Sequence, residues 1–162
     1  MKLEKIINFF EAIEDWQEKY QLLIEIGNKM LPLQSWEMSE SYKVSGCTSS
    51  VWLVPSLLNG VYYFNGSSNA AIVKGLVYLV IQIYSGKTPK EILEFDVESL
   101  FEKLNLKNHL SPTRSNGLYS MVEKVKEIVI CNHTFSVKEF SEAGLVDRNY
   151  ICKNCGCKLG NT

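Results

Sequence analysis

Apolar positions along the first thirty residues recur at helical spacing. Leu3, Ile6, Ile7 and Phe10 fall at i, i+3, i+4 and i+7, and a second run is built on Trp16, Tyr20, Leu23 and Ile26. Asp15 is placed to cap that second helix, Gly27 stands near its end, and Pro32 stops any continuation. This stripe reads as core packing. Between Ser41 and Phe64 the period changes. Tyr42 and Val44, then Val51 to Val54, then Val61 to Phe64 are rich in β-branched and aromatic residues, which predicts about three short antiparallel strands. Asn59-Gly60 lies between the last two, and a tight hairpin prefers that pair because both central residues need positive φ. Cys47 falls in the connection between the first two strands.

Helical spacing returns after Gly66. Ser68 or Asn69 can cap a run carrying Ile72, Leu76, Leu79, Val80 and Ile83, which ends before Gly86. Thr88-Pro89-Lys90-Glu91 is a helix start in which Thr caps, Pro takes the first turn and Glu reaches back. Asp96 opens a short helix through Leu104. Ser111-Pro112 opens another, carrying Leu118, Met121, Val122, Val125 and Val129. Two helices, a small sheet and then four helices predict an α+β fold, with an antiparallel sheet packed against helices. The pattern shifts near Ile130, where cysteines, glycines and asparagines replace strong apolar runs. We therefore divide the chain into a body, 1–127, and a short Cys/His-rich tail, 128–162.

Composition narrows the function. The 162 residues are 46% hydrophobic and 22% charged, with a net charge of −1. That is globular, and a nearly neutral surface lacks the field that draws proteins onto phosphate backbones, so nucleic acid is not an expected partner. The opening residues carry four acids among the first fifteen and no apolar leader. The longest apolar stretch, Ala70 to Tyr84, is too short to span a bilayer. A soluble, cytoplasmic chain without a membrane partner is expected.

Cys47 stands in Val44-Ser45-Gly46-Cys47-Thr48-Ser49-Ser50-Val51-Trp52. An unpaired cysteine is commonly a small buried hydrophobe, but small polar neighbours on a loop between strands do not look like core filling. Gly46 frees the backbone for a sharp turn, and such a turn can aim N–H groups at a thiolate. A cysteine hydrolase would need a histidine base, and His109, just before the helix at Ser111, is the candidate. The chemistry that needs no base is attack of the thiolate on the outer sulfur of a persulfide, as in thiol–disulfide exchange.

That loop resembles the "V-x-GCQSQVW" loop of the SufE/CsdE sulfur acceptors. Gly66-Ser67-Ser68-Asn69-Ala70-Ala71-Ile72-Val73-Lys74-Gly75-Leu76 is similar to that family's "GDSDAAIVKGL", and His109-Leu110-Ser111-Pro112-Thr113-Arg114-Ser115-Asn116-Gly117-Leu118 to its "HLSPSRxxGL". Asp15-Trp16-Gln17-Glu18-Lys19-Tyr20 fits its opening helices. The resemblance runs in order over about residues 5–127. It implies a fold shared with IscU-type scaffolds, and a carrier and activator rather than an independent enzyme. Cys47 would accept persulfide sulfur from a cysteine desulfurase of the SufS or CsdA type and deliver it to an iron–sulfur scaffold. Pyridoxal phosphate would belong to that partner alone. Gly46, Lys74, His109 and Arg114 match the family motifs as supporting or docking positions. Arg114 reads either as a surface charge in a helix's first turn or as a guanidinium beside the thiol, and Lys74 as a lysine whose stem lies along apolar surface. Ser67 and Asn69 stand where the family has acids, and Thr48 and Ser50 where it has glutamines, which changes any charged docking surface.

The tail carries its own chemistry. Cys131-Asn132-His133 and Cys152-Lys153-Asn154-Cys155-Gly156-Cys157 supply five soft ligands. A Cys-x-x-Cys turn followed by Gly puts two thiolates on one side of a tight loop, and two short arms fit tetrahedral zinc. Cys131, His133, Cys152 and Cys155 are the expected ligands, with Cys157 spare or replacing one of them. An iron–sulfur cluster fits less well with a histidine and such close spacing. A segment of this length cannot build its own apolar core, so a metal staple is physically sensible. The competing account of the whole chain is a zinc-stapled interaction module in which Cys47 is structural.

Overall fold

A computed structural model describes residues 1–142 and 145–160, and the side chains of all these except 140–142 and 145–148. The capping residues do what their chemistry suggests. Asp15 accepts from the Gln17 N–H at 2.6 Å and opens α2, Trp16–Gly27, which follows α1, Leu3–Ala12. Helix α3, Ala71–Tyr84, departs from the pattern because Ala70 occupies its capping position. Ser68 still accepts from the Ala70 N–H, while the Asn69 side chain turns away to accept from the Ser50 N–H at 3.1 Å. Thr88 and Glu91 form a reciprocal box at the start of α4, Pro89–Glu94. Asp96 caps α5, Val97–Lys103. After the four-residue α6, Leu106–His109, Ser111 caps α7, Pro112–Ile130.

β1, Val51–Leu58, and β2, Val61–Ser68, form an antiparallel hairpin with Val51 opposite Ser68 and Leu58 opposite Val61. Asn59 and Gly60 turn it with φ of 50° and 75°. The strand expected at Tyr42–Val44 does not form. Tyr42 closes one of two 3-10 turns, Ser35–Glu37 and Glu40–Tyr42, and only a single bridge, Lys43 to Trp52, follows. Alternation over three residues yields one ladder bond, Val44 N–H to the Val51 carbonyl at 2.8 Å, before Gly46 redirects the chain. The tail instead supplies strands: β3, Phe135–Glu142, β4, Leu145–Cys152, and the two-residue β5, Lys158–Leu159. The sheet order is β2-β1-β5-β4-β3, antiparallel except where β5 runs parallel to β1 through Ser56 and Leu57.

The fold is α+β, with one apolar core on which helices and hairpin pack. α3 is its centre. Leu76, Val77, Leu79, Val80 and Ile83 are buried around nearly its whole circumference, because α2, β2 and α7 all pack on it. The first contact is very close: a Cβ on Gly75 would run into the Leu23 carbonyl. That close approach fixes α3, and α3 and α7 together shape the floor beneath Cys47. Among the described residues, no helix is long and apolar enough to cross a membrane.

Candidate functional site

Gly46 enters the Cys47 loop with φ +86°, in the left-handed region, and a Cβ there would sit 2.5 Å from the Ser120 hydroxyl. A larger residue would therefore meet both backbone strain and α7. The turn directs Cys47 at α7. Its thiol donates to the Gly117 carbonyl at 3.6 Å, and the absence of a side chain on Gly117 makes this approach possible. Cys47 is half-buried, and it lines a cavity of about 30 Å³ with Thr48, Ser49, Val73, Thr113, Arg114 and Met121. Burial pushes the Cys47 thiol above its ordinary range. The resting sulfur is therefore a protonated, sheltered thiol, not the thiolate cradled by N–H groups that the turn alone suggested. Arg114 lies in the wall of the same cavity.

His109 and Lys74 lie elsewhere. The His109 ring stacks on Trp16, centroids 3.9 Å apart and 12° from parallel, and its carbonyl accepts from the Tyr20 hydroxyl. Neither residue lines the Cys47 cavity. The Cys–His hydrolase reading needs a ring nitrogen within hydrogen-bond reach of the sulfur, whereas the Cys47 thiol bonds the Gly117 carbonyl and His109 lies outside its cavity. Lys74 is half-buried on α3, in the stretch of backbone against which Gly27 packs.

The second cluster lies in the tail. Ligand atoms of Cys131, His133, Cys152 and Cys155 all fall within 4.8 Å of one another. Zinc–sulfur bonds of about 2.3 Å in tetrahedral array would place sulfurs about 3.8 Å apart. The Cys131 and Cys152 sulfurs are 3.9 Å apart, and the Cys155 sulfur is 3.4 Å from His133 Nδ1. The donor set and its spacing fit a tetrahedral cation. Backbone supports it, since the Asn154 N–H points at the Cys152 sulfur at 3.4 Å. Burial works against ionising Cys152, but the N–H groups of Cys155, Asn154 and Thr134 and the His133 ring outweigh it and bring the thiol down to about 6. Cys131 goes the other way, to about 12, through burial and then its thiol neighbours. Protein groups alone thus favour one thiolate, and a divalent cation would favour three.

Sequence reasoning missed how this cluster is tied to the body. Tyr62, on β2, meets His133 Nε2 through its hydroxyl at 2.6 Å, which turns Nδ1 toward the sulfurs. Tyr42 donates to the Gly156 carbonyl at 2.9 Å, and Lys158 pairs at 2.7 Å with Glu37, itself only 6% exposed. Cys157 is buried in the core, its thiol on the Lys158 carbonyl at 3.7 Å, outside the cluster. Tyrosines in a β-rich stretch signal packing, and nothing in their spacing announces a hydroxyl aimed at a remote histidine.

Comparison with known proteins bears on this arrangement. A solution structure of a hypothetical protein from Thermus thermophilus shares the fold with a TM-score of 0.64 at 19% identity, covering 78% of this chain and 92% of that one. A family described as "SufE: Fe-S metabolism associated domain" matches residues 4–129. That span holds the hairpin, the Cys47 loop and all but the last residue of α7, and it ends just before the first tail cysteine. The chain belongs to the SufE family, associated with iron–sulfur metabolism.

Proposed function

We propose that Cys47 accepts sulfane sulfur from a cysteine desulfurase and delivers it to iron–sulfur cluster assembly, stimulating the desulfurase by clearing its persulfide. The thiol gives up its proton, and the Cys47 thiolate attacks the terminal sulfur of the donor's persulfide. The sulfur–sulfur bond of the donor breaks, its cysteine leaves as thiolate, and Cys47 becomes the persulfide. One sulfane sulfur changes hands with no net oxidation, so no cofactor is required of this chain. Pyridoxal phosphate serves only the donor.

The observation that carries this reading is the Cys47 thiol on a turn, half-buried against Gly117 in a small cavity beside Arg114. Burial keeps the resting thiol protonated and shelters a bound sulfur from solvent nucleophiles. Docking of the donor would draw the loop outward, and an ionised Cys47 would then face the Arg114 guanidinium. Gly46 shapes the loop, and Lys74 and His109, outside the Cys47 cavity, serve as docking positions for the donor. Residues 1–127 form the acceptor unit, and 128–162 form an addition held by structural zinc on Cys131, His133, Cys152 and Cys155. The test is Cys47→Ser. A serine hydroxyl can still donate to the Gly117 carbonyl, so melting should be nearly unchanged while sulfur uptake from a desulfurase is lost. If the chain is instead an interaction module with a structural Cys47, the substitution lowers stability and leaves sulfur labelling intact.

A further inference from the structure

The segment that leads into the Cys47 loop has little structure of its own. Residues 34–44 make two single 3-10 turns and then one bridge, Lys43 to Trp52. Isolated turns of this kind are not self-supporting, so other contacts must hold the segment. Two of the strongest come from the tail. Glu37 is buried and paired with Lys158. Tyr42, only 3% exposed, donates to the Gly156 carbonyl, and its ring lies 2.9 Å from where a Gly156 Cβ would be. Gly156 follows Cys155 directly, and its N–H closes the knuckle by bonding the Cys152 carbonyl at 3.0 Å. Tyr42 therefore stands between the Cys152–Gly156 knuckle and the root of the acceptor loop, five residues before Cys47.

We infer that Tyr42 is a positioning residue that couples the tail's metal centre to Cys47, so that metal occupancy sets how often the acceptor loop opens. This rests on the reading of Cys47 as the acceptor and deepens it by naming what regulates the site. A tetrahedral cation ties Cys152 and Cys155 to Cys131 and His133, which fixes the peptide that Tyr42 grips. Loss of the cation unties that peptide. The segment 34–44 then loses a fixed anchor, and Cys47 leaves its Gly117 contact more often. Metal status of the cell would thereby reach the sulfur-accepting thiol.

The experiment is site-resolved alkylation of Cys47 with iodoacetamide, read by peptide mass spectrometry, on the full chain loaded with zinc and after chelation. Exchange of α3 amides serves as the reference for global opening. Stripping the metal should speed Cys47 labelling severalfold. Tyr42→Phe in the zinc-loaded protein removes one hydrogen bond and should speed it by about fivefold, with α3 exchange unchanged. In the stripped protein the same substitution should add nothing, because the knuckle it grips is already loose. Equal Cys47 labelling with and without zinc, or wild-type labelling in zinc-loaded Tyr42→Phe, overturns the coupling. So does a chain that takes up no metal. If stripping also frees the α3 amides, the zinc-loaded Tyr42→Phe comparison decides. Sulfur transfer is assayed separately: a protein that shows the coupling but takes no sulfur overturns the acceptor reading and leaves this one standing.

Discussion

At the scale of single residues, the chemistry of this chain turns on where two side chains sit in relation to water. Burial holds Cys47 protonated, and its pKa lies above the ordinary thiol range. A raised folded-state value means that the native state keeps the proton more tightly than the unfolded chain. Its contribution to stability is thus present below the ordinary thiol pKa and lost as pH rises through the folded value. We expect the pH profile of Cys47 alkylation in the native protein to have its midpoint above that of a free cysteine, and the two to merge in denaturant. A native midpoint at or below the free value would contradict the sheltered-thiol geometry. Tyr62 acts at a distance from this sulfur. Its hydroxyl orients His133, and groups in that role typically contribute tenfold or more to metal affinity. Tyr62→Phe should therefore weaken zinc binding by about tenfold in competition with a chromophoric chelator, with little change in melting when zinc is saturating. Unchanged affinity would show that the contact does not orient the ligand.

At the scale of elements, the local signals were legible and the long-range ones were not. Asp15, Thr88 with Glu91, Asp96 and Ser111 each cap the helix that their spacing indicated, because a cap is a contact within three or four residues. Asn59-Gly60 made the hairpin for the same reason. Of the tail strands, β5 was hidden because it is two residues long and exists only through pairing with β1 and β4, which no local period encodes. The Tyr42–Val44 alternation was real but too brief to outweigh a 3-10 turn. That the four tail residues Cys131, His133, Cys152 and Cys155 would cluster was legible, since Cys-x-His and Cys-x-x-Cys spacing is local, but their tether through Tyr42 and Tyr62 was not. The passage of α2 over Gly75 was equally hidden. Gly75→Ala would ordinarily favour a helix, but here its Cβ would strike the Leu23 carbonyl. We expect it to destabilise the protein by about 1–3 kcal/mol in urea unfolding. A stabilising outcome would mean that α2 and α3 can separate at no cost.

At the scale of the whole molecule, a small helical body presents one sheltered thiol, and a five-stranded sheet carries the order of that body into a Cys/His cluster beyond it. The sheet runs without a break from β2 to β3, so the tail is attached through β5 on β1 as well as through side chains. This arrangement explains how a short cysteine-rich segment can be ordered although it lacks a core of its own. It also places the Cys47 loop between two supports, α7 on one side and the knuckle's grip on Tyr42 on the other. Everything functional in this account depends on sulfur arriving at residue 47. The most direct measurement is intact-mass analysis of the chain after incubation with a cysteine desulfurase and cysteine, followed by peptide mapping. The account predicts the added mass of one sulfur atom, removable by a reducing thiol, on the peptide that holds Cys47. No added sulfur, or sulfur found only on the tail cysteines, would contradict it.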